Sequence, residues 1–116
     1  MPAVPPAVPR KGLRAVTVRG PSMAPTLSDG DVVLVRLGAI AKAGDVVLVR
    51  WDARPGQLSV KRARRQAASG AGWMVYGDNG LGSTDSRTLG PADVLGVAVA
   101  RLWPRPGRLR RLSTEG

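Results

Sequence analysis

The chain has 116 residues, a formal net charge of +10, no cysteine and no histidine. This length fits one small domain with a single modest core. The two missing residue types exclude disulfides, cysteine nucleophiles, the Ser-His-Asp triad and histidine-based zinc sites, and we expect no metal and no cofactor. A hydrolase built from what remains would use serine or threonine as its nucleophile and one of three lysines as its base: Lys11, Lys42 or Lys61.

Much of the positive charge lies at the two ends. Residues 1–12 hold four prolines, and residues 1–14 are predicted to form a disordered basic arm. Residues 104–116 are predicted to form a basic tail behind a folded body at 15–103. The arm does not have the charge order of a signal peptide, and no apolar run is long enough to span a bilayer as a helix. Both ends could contact a membrane surface peripherally through their charge.

The body is predicted to consist of six or seven short strands. Alternating apolar residues predict the first strand at 14–19. The heptapeptide GDVVLVR then occurs twice, at 30–36 and 44–50, and each copy predicts a Gly-Asp turn followed by a strand covered on both faces. Further strands are predicted at 58–64, 73–76 and 94–103, with a long polar loop at 77–90. The fold class is therefore mainly β, with little helix.

Ser22 lies in a short segment that cannot be helical. Pro21 and Pro25 bracket it and hold the backbone of residues 20–27 in a stiff, irregular turn. Such a turn suits a nucleophile, which must be held at a fixed distance from its base. An ordinary proline-rich surface turn would have the same pattern.

Lys61 is the lysine whose setting suits a base. On a strand it would share one face with the small residues Ser59 and Ala63, which would allow partial burial. Burial and the neighbouring arginines would lower the pKa of Lys61, and only a neutral amine can accept the proton of a serine. The alternative interpretation is a solvated basic strand edge.

Four motifs resemble, in the same order, those of the type I signal peptidase family, whose members are serine peptidases with a Ser-Lys dyad. The matching segments are PSMAPTL at 21–27, GDV at 30–32, VKR at 60–62, and GDN at 77–79 followed by STDSR at 83–87. Together they cover about residues 15–103. The resemblance implies a signal-peptidase-like or LexA-like single domain whose short strands form a partly open barrel.

The resemblance implies an endopeptidase in which Ser22 attacks the scissile carbonyl and Lys61 takes the serine proton. The backbone N–H of Ser22 would help to hold the oxyanion. Ser83 would orient Lys61, and Asp85 and Arg87 would form an ion pair behind the site. Four residues beside the dyad would line shallow substrate pockets: Val18, Met23, Leu27 and Val60. The partner would be a precursor protein, bound as an added extended strand.

Two departures from the family pattern refine this interpretation. Gly20 stands where many bacterial members have a serine that donates to the oxyanion, so the second donor is not identified. The membrane anchor and the large extra β domain of signal peptidases are not found. Small size and the Gly-Pro-Ser-Met variant resemble the maturation proteases of nickel-type superoxide dismutases. This resemblance implies a cytoplasmic enzyme that removes an N-terminal leader from the nickel superoxide dismutase precursor.

Three alternatives are open at this point. The first is an export signal peptidase that reaches the membrane through the basic tails. The second is a self-cleaving repressor domain, which would need an Ala-Gly or Cys-Gly bond upstream of Ser22, and residues 1–21 contain none. The third is a small basic β-barrel that binds nucleic acid, but three Trp, one Tyr and no Phe are few residues for stacking bases. We therefore expect no nucleic-acid partner.

Overall fold

A computed structural model describes residues 8–81 and 83–112 of the chain. These residues form a seven-stranded antiparallel sheet and one short helix. The elements are β1 Gly12–Thr17, β2 Val32–Leu37, β3 Val46–Arg50, β4 Ser59–Gln66, β5 Trp73–Tyr76, α1 Ser86–Leu89, β6 Asp93–Trp103 and β7 Gly107–Arg108. The order across the sheet is β1-β2-β6-β3-β4-β5, with β7 paired to β6, and the sheet does not close. The predicted mainly β, partly open single domain is confirmed.

Most strands follow the β-branched runs of the sequence, but their bounds and the loop at 77–90 differ in part from the prediction. β1 begins at Gly12 and ends at Thr17, two residues earlier at each end than predicted. The predicted loop at 77–90 contains α1, which starts where the Asp85 side chain accepts a hydrogen bond from the backbone N–H of Arg87. A single helical turn held by its N-terminal cap has no apolar period that the sequence could show.

The long strand β6 lies between the two copies of the heptapeptide. It pairs with β2 on one edge and with β3 on the other. The prediction that both faces are covered holds for β3, where Val46 to Val49 are all buried. It is wrong for β2, where buried residues alternate with half-buried or exposed ones. Sequence alone does not predict this difference in burial, because it arises from the different neighbours of the two copies in the sheet.

Two apolar clusters form the interior. The central core lies inside the curved sheet and consists of Val18, Met23, Leu27, Val33, Val35, Leu37, Val46, Leu48, Val60 and Ala98. The outer core covers the other face of β3 and β4 and consists of Ala41, Val47, Val49, Trp51, Ala63, Val75 and Ala92. The two clusters place β3 and the first half of β4 between two apolar layers.

The ends of the chain contribute to the fold beyond the predicted limits of the body. Residues 1–7, which make up half of the predicted arm, and residues 113–116 lie outside the described residues. Part of the predicted C-terminal tail is folded against the sheet. β7 pairs with β6, the backbone N–H of Leu112 donates to Gly44 O at 3.0 Å, and Arg111 Nε contacts Asp45 Oδ1 at 2.7 Å. The folded body therefore extends to Leu112.

In the part of the chain that the structure describes, no helix has the length and apolar character to cross a membrane.

Candidate active site

Ser22 and Lys61 line the same cleft, a cavity of about 200 Å³. One wall is the end of β1 and the residues that follow it, including Val16 and Val18. The opposite wall is the start of β4, including Val60. Ser22 and Lys61 are 39 positions apart in the sequence. They meet across one opening because the curvature of the sheet brings β1, at one end of the strand order, to face β4 near the other end.

The turn that carries Ser22 is fixed by backbone hydrogen bonds. Ala24 N–H donates to Pro21 O at 3.0 Å, and Leu27 N–H donates to Met23 O at 2.9 Å. The carbonyl of Ser22 itself accepts a hydrogen bond from the backbone N–H of Asn79 at 2.8 Å. The Gly77-Asp78-Asn79 motif therefore holds the serine turn from outside, and Ser22 remains half-exposed on the cleft.

Lys61 is buried, with only 5% of its surface exposed. Its cross-strand partner is Val47, so the lysine lies on the apolar face that β3 and β4 present to the outer core. Burial lowers the pKa of Lys61; the negative charge of Asp85 raises it and the positive charge of Arg87 lowers it, and the balance is a lowered pKa. A larger share of neutral amine at moderate pH is what a general base requires.

A short chain of hydrogen bonds starts at the Lys61 amine. Lys61 Nζ donates to Ser83 Oγ at 3.2 Å, and the Ser83 hydroxyl donates to Asp85 Oδ2 at 2.9 Å. The hydrogen bonds of residues 8–81 and 83–112 include none between Ser22 Oγ and Lys61 Nζ. Such bonds are often long in free enzymes and shorten when substrate binds.

Asp85 is the anchor of this chain. It is 1% exposed and accepts hydrogen bonds from the Ser83 hydroxyl, from Gly77 N–H at 3.1 Å, and from Arg87, whose Nη2 lies 2.7 Å from Oδ2. Burial alone would raise the pKa of Asp85, but the hydrogen bonds from Arg87, Gly77 and Ser83 hold it well below its usual value. The carboxylate is therefore ionised across the neutral range and fixes Ser83 in position.

Comparison with known proteins identifies the family. A family model described as Peptidase S24-like matches residues 3–79. The chain belongs to this family. It is also similar to the mitochondrial ATP-independent inner membrane protease subunit 1a of Arabidopsis thaliana, with 36% identity over 117 aligned positions that cover 75% of this chain and 68% of the relative. The protein is thus a peptidase of the signal-peptidase-like kind. The matched region of the Peptidase S24-like family includes Ser22 and Lys61 and ends before Ser83.

Two of the four apolar residues predicted to line the substrate pockets do not do so. Val18 and Val60 line the cleft of the peptidase. Met23 and Leu27 are fully buried in the central core and lie outside the cleft lining. The side chains of Met23 and Leu27 point inward and anchor the serine turn in the central core.

Sequence reasoning missed a second polar network, on the far side of the serine turn. Arg62 is buried, and its guanidinium binds both carboxylate oxygens of Asp78, at 3.1 and 2.7 Å. Thr26 Oγ1, which belongs to the serine turn, donates to Asp78 at 2.6 Å. The network joins the serine turn, the lysine strand and the Gly-Asp-Asn loop. The signal was present in the sequence, since Arg62 follows Lys61 and Asp78 lies in a quoted motif.

Gly77 is required by the close approach of the Ser22 turn and the Ser83 loop. A Cβ at this position would collide with Ser83 Oγ and would lie 2.5 Å from the carbonyl oxygen of Ser22. The absence of a side chain allows the Ser22 turn and the Ser83 loop to lie against the same backbone.

The structure shows what Gly20, the position of the second oxyanion donor in many relatives, contributes beside Ser22. Gly20 has no side chain to donate, and its backbone N–H is engaged with Asp29 Oδ1 at 2.7 Å. The described residues also contain no cluster of three or more metal-ligating side chains.

Proposed function

We propose that this peptidase is a serine endopeptidase in which Ser22 is the nucleophile and Lys61 is the general base. The observation that carries the proposal is that Ser22 and a buried Lys61, which is hydrogen-bonded to Ser83, line one cleft. Both residues lie inside the segment that the Peptidase S24-like family model matches.

The reaction follows from the geometry of the lysine amine. In its neutral form, Lys61 donates one N–H to Ser83 and keeps its lone pair for the Ser22 hydroxyl proton. As that proton moves to Lys61 Nζ, Ser22 Oγ forms a bond to the scissile carbonyl carbon. The resulting ammonium group then gives the proton to the leaving amine as the peptide C–N bond breaks. Water hydrolyses the acyl-enzyme with Lys61 again acting as base.

The backbone N–H of Ser22 is proposed to stabilise the oxyanion. One such donor contributes about 3 kcal/mol to the stability of the transition state. Because Gly20 N–H already donates to Asp29, it is not available as the second donor.

The edges of the sheet support binding of the substrate as an extended strand. Among the described residues, β1 pairs only with β2 and so has one free edge. β5 pairs with β4 only from Arg62 onward, which leaves Ser59–Lys61 unpaired on the side away from β3. Both free edges border the cleft, so a peptide between them could form main-chain hydrogen bonds on either side.

The finer proposal is that the peptidase removes an N-terminal leader from the nickel superoxide dismutase precursor in the cytoplasm. It is supported by the resemblance of the Gly20 to Met23 segment to the maturation proteases of those enzymes. The second candidate is an export signal peptidase that acts at a membrane. The name of the Arabidopsis relative, an inner membrane protease subunit, favours this candidate.

Two variants test the dyad directly. Ser22→Ala and Lys61→Ala should each lower the rate of precursor cleavage by about 10³-fold or more while the circular dichroism spectrum is unchanged, since each removes an indispensable step. Lys42→Ala is the matched control, because Lys42 is exposed and lies outside the cleft lining. Turnover retained by either dyad variant would contradict the assignment.

The two candidate substrates are separated by a second experiment. Purified peptidase is incubated with the nickel superoxide dismutase precursor and, in parallel, with an exported precursor in vesicles, and new N-termini are sequenced. Cleavage of the first alone supports the leader-removing role, whereas cleavage of the second alone, together with flotation of the peptidase with vesicles, supports the membrane role.

A further inference from the structure

The rim of the substrate cleft carries positive charge. Arg19, just after β1, and Arg54, in the loop between β3 and β4, both line the cleft and are exposed. The described residues that line this cleft include no Asp or Glu. The four ion pairs of the described residues use other arginines, so neither Arg19 nor Arg54 is paired with an acid in this part of the chain.

The floor of the same cleft is apolar. Val18, Trp51 and Val60 are buried and contribute to its lining. Successive side chains of an extended peptide point in opposite directions. A bound strand would therefore direct alternate side chains to the apolar floor and the others toward the charged rim.

We propose that the cleft selects extended peptide segments that carry an acidic side chain on the rim-facing side, with Arg19 and Arg54 as the specificity-determining residues. The inference rests on the proposed function, because it names the substrate class of the same cleft. Arginine matches a carboxylate with paired N–H donors, and a basic rim also raises the rate at which an acidic peptide arrives. Because both arginines are exposed, each should contribute only about a threefold preference.

The test uses peptides that differ by a single charge. A sequence cleaved by the peptidase is synthesised with Glu or Gln at each of the four positions on either side of the scissile bond, and kcat/KM is measured at low salt. At one or more positions, the Glu peptide should be cleaved about threefold to tenfold faster than its Gln counterpart. The ratio should fall toward one in 1 M salt, where the Debye length is about 3 Å.

Variants identify the residues responsible. Arg19→Gln and Arg54→Gln should each reduce the Glu-to-Gln ratio, and the double variant should bring it to about one. Arg36→Gln is the matched control, because Arg36 is exposed on β2 and lies outside the cleft lining. It should leave the ratio unchanged. A ratio of one in the unaltered peptidase at every position would overturn the inference.

A binding measurement separates this inference from the proposed function. Fluorescence anisotropy of labelled Glu and Gln peptides is measured with the Ser22→Ala variant. Preferential binding of the Glu peptide without any cleavage by the unaltered chain would support the charge selectivity and overturn the peptidase mechanism. Cleavage without a charge preference would support the peptidase mechanism and overturn the charge selectivity. The absence of both binding and cleavage would overturn the mechanism and the selectivity together.

Discussion

Residues 30–36 and 44–50 have the same sequence but lie in different surroundings, and the two copies show how far local sequence controls structure. Locally they are alike. The glycine of each copy has a positive φ, 89° in the first and 93° in the second. The aspartate that follows accepts a hydrogen bond from the backbone N–H three residues before it, at 2.9 Å in both copies. The same turn therefore leads into the same kind of strand twice.

The two copies differ in the face that they direct to the interior. In β2, alternate residues face the central core: Val33, Val35 and Leu37. In β3 both sets are buried, with Val46 and Leu48 in the central core and Val47 and Val49 in the outer core. Residues at the same position of the heptapeptide, such as Val33 and Val47, thus belong to different clusters.

The cause is the register against β6. Val97 of β6 lies opposite Arg36 in β2 and opposite Val47 in β3. Within the heptapeptide, these two positions are three residues apart. Because side chains alternate between faces with a period of two, an odd displacement exchanges the inward and outward sets. The outward set of β3 is covered by the outer core, and Lys61 lies opposite Val47 on that face. The second copy therefore supports the proposed base and the first does not.

The two copies should differ most in how much the free energy of unfolding falls when the leucine of each copy is replaced by alanine. Leu48 is fully buried, whereas Leu34 is half-buried. Leu48→Ala should lower the free energy of unfolding by about 2 to 5 kcal/mol, and Leu34→Ala by roughly 1 kcal/mol, since less apolar surface is lost there. Urea unfolding of the two variants measures both values, and equal losses would contradict the assigned burial.

The glycines of the two turns should give the next largest difference. A Cβ at Gly30 would contact no other atom, but at Gly44 it would collide with the carbonyl oxygen of Leu112. Gly30→Ala should lower the free energy of unfolding by only about 1 to 2 kcal/mol, because alanine is strained in the left-handed backbone conformation. Gly44→Ala should lower it by more and should release the C-terminal segment. Thermal unfolding gives the cost, and limited proteolysis detects the release; equal protection of residues 109–112 in both variants would be inconsistent with the packing.

The pH dependence of cleavage follows from the burial of Lys61 opposite Val47 of the second copy. Burial lowers the pKa of Lys61, while the charge of Asp85 opposes this and that of Arg87 adds to it. Because the proposed base is the neutral amine, kcat/KM should rise with pH as Lys61 loses its proton and then level off. Asp85→Asn removes the contribution that raises the pKa, so the midpoint should move to lower pH. Asp31→Asn, in the first copy, should leave the midpoint unchanged, and a midpoint that rises in Asp85→Asn would refute the assignment.

The smallest expected difference concerns the ion pairs of the two aspartates. Arg111 Nε lies 2.7 Å from Asp45, whereas Arg101 Nη1 lies 3.7 Å from Asp31. Arg111→Gln should lower the free energy of unfolding by less than about 1 kcal/mol, because the arginine is half-exposed, and Arg101→Gln by still less. Denaturation at low and high salt checks this, since the Arg111 effect should shrink in 1 M salt.

The sequence predicts the residues of the candidate site that lie in motifs, but it does not predict the directions in which the neighbouring side chains point. Ser22, Lys61 and Ser83 could be named from motif order, and the structure brings Ser22 and Lys61 to one cleft and Ser83 to the lysine amine. The inward direction of Met23 and Leu27 could not be predicted, because an irregular turn has no periodicity to show which side chain faces the core. The motifs contain both Asp78 and Arg62, but the sequence does not show that these two residues, 16 positions apart, form a pair.

The sequence by itself determined the positions of most strands, through β-branched runs bounded by Gly-Asp and Pro-Gly turns, and the order of the motifs that identify the candidate dyad. Only the tertiary structure decided which face of each identical heptapeptide is buried, where the C-terminal segment lies and how deeply Lys61 is covered. These properties depend on register against β6 and on contacts between distant segments. Such contacts form only when the whole sheet is assembled, so two copies of one sequence can acquire different roles.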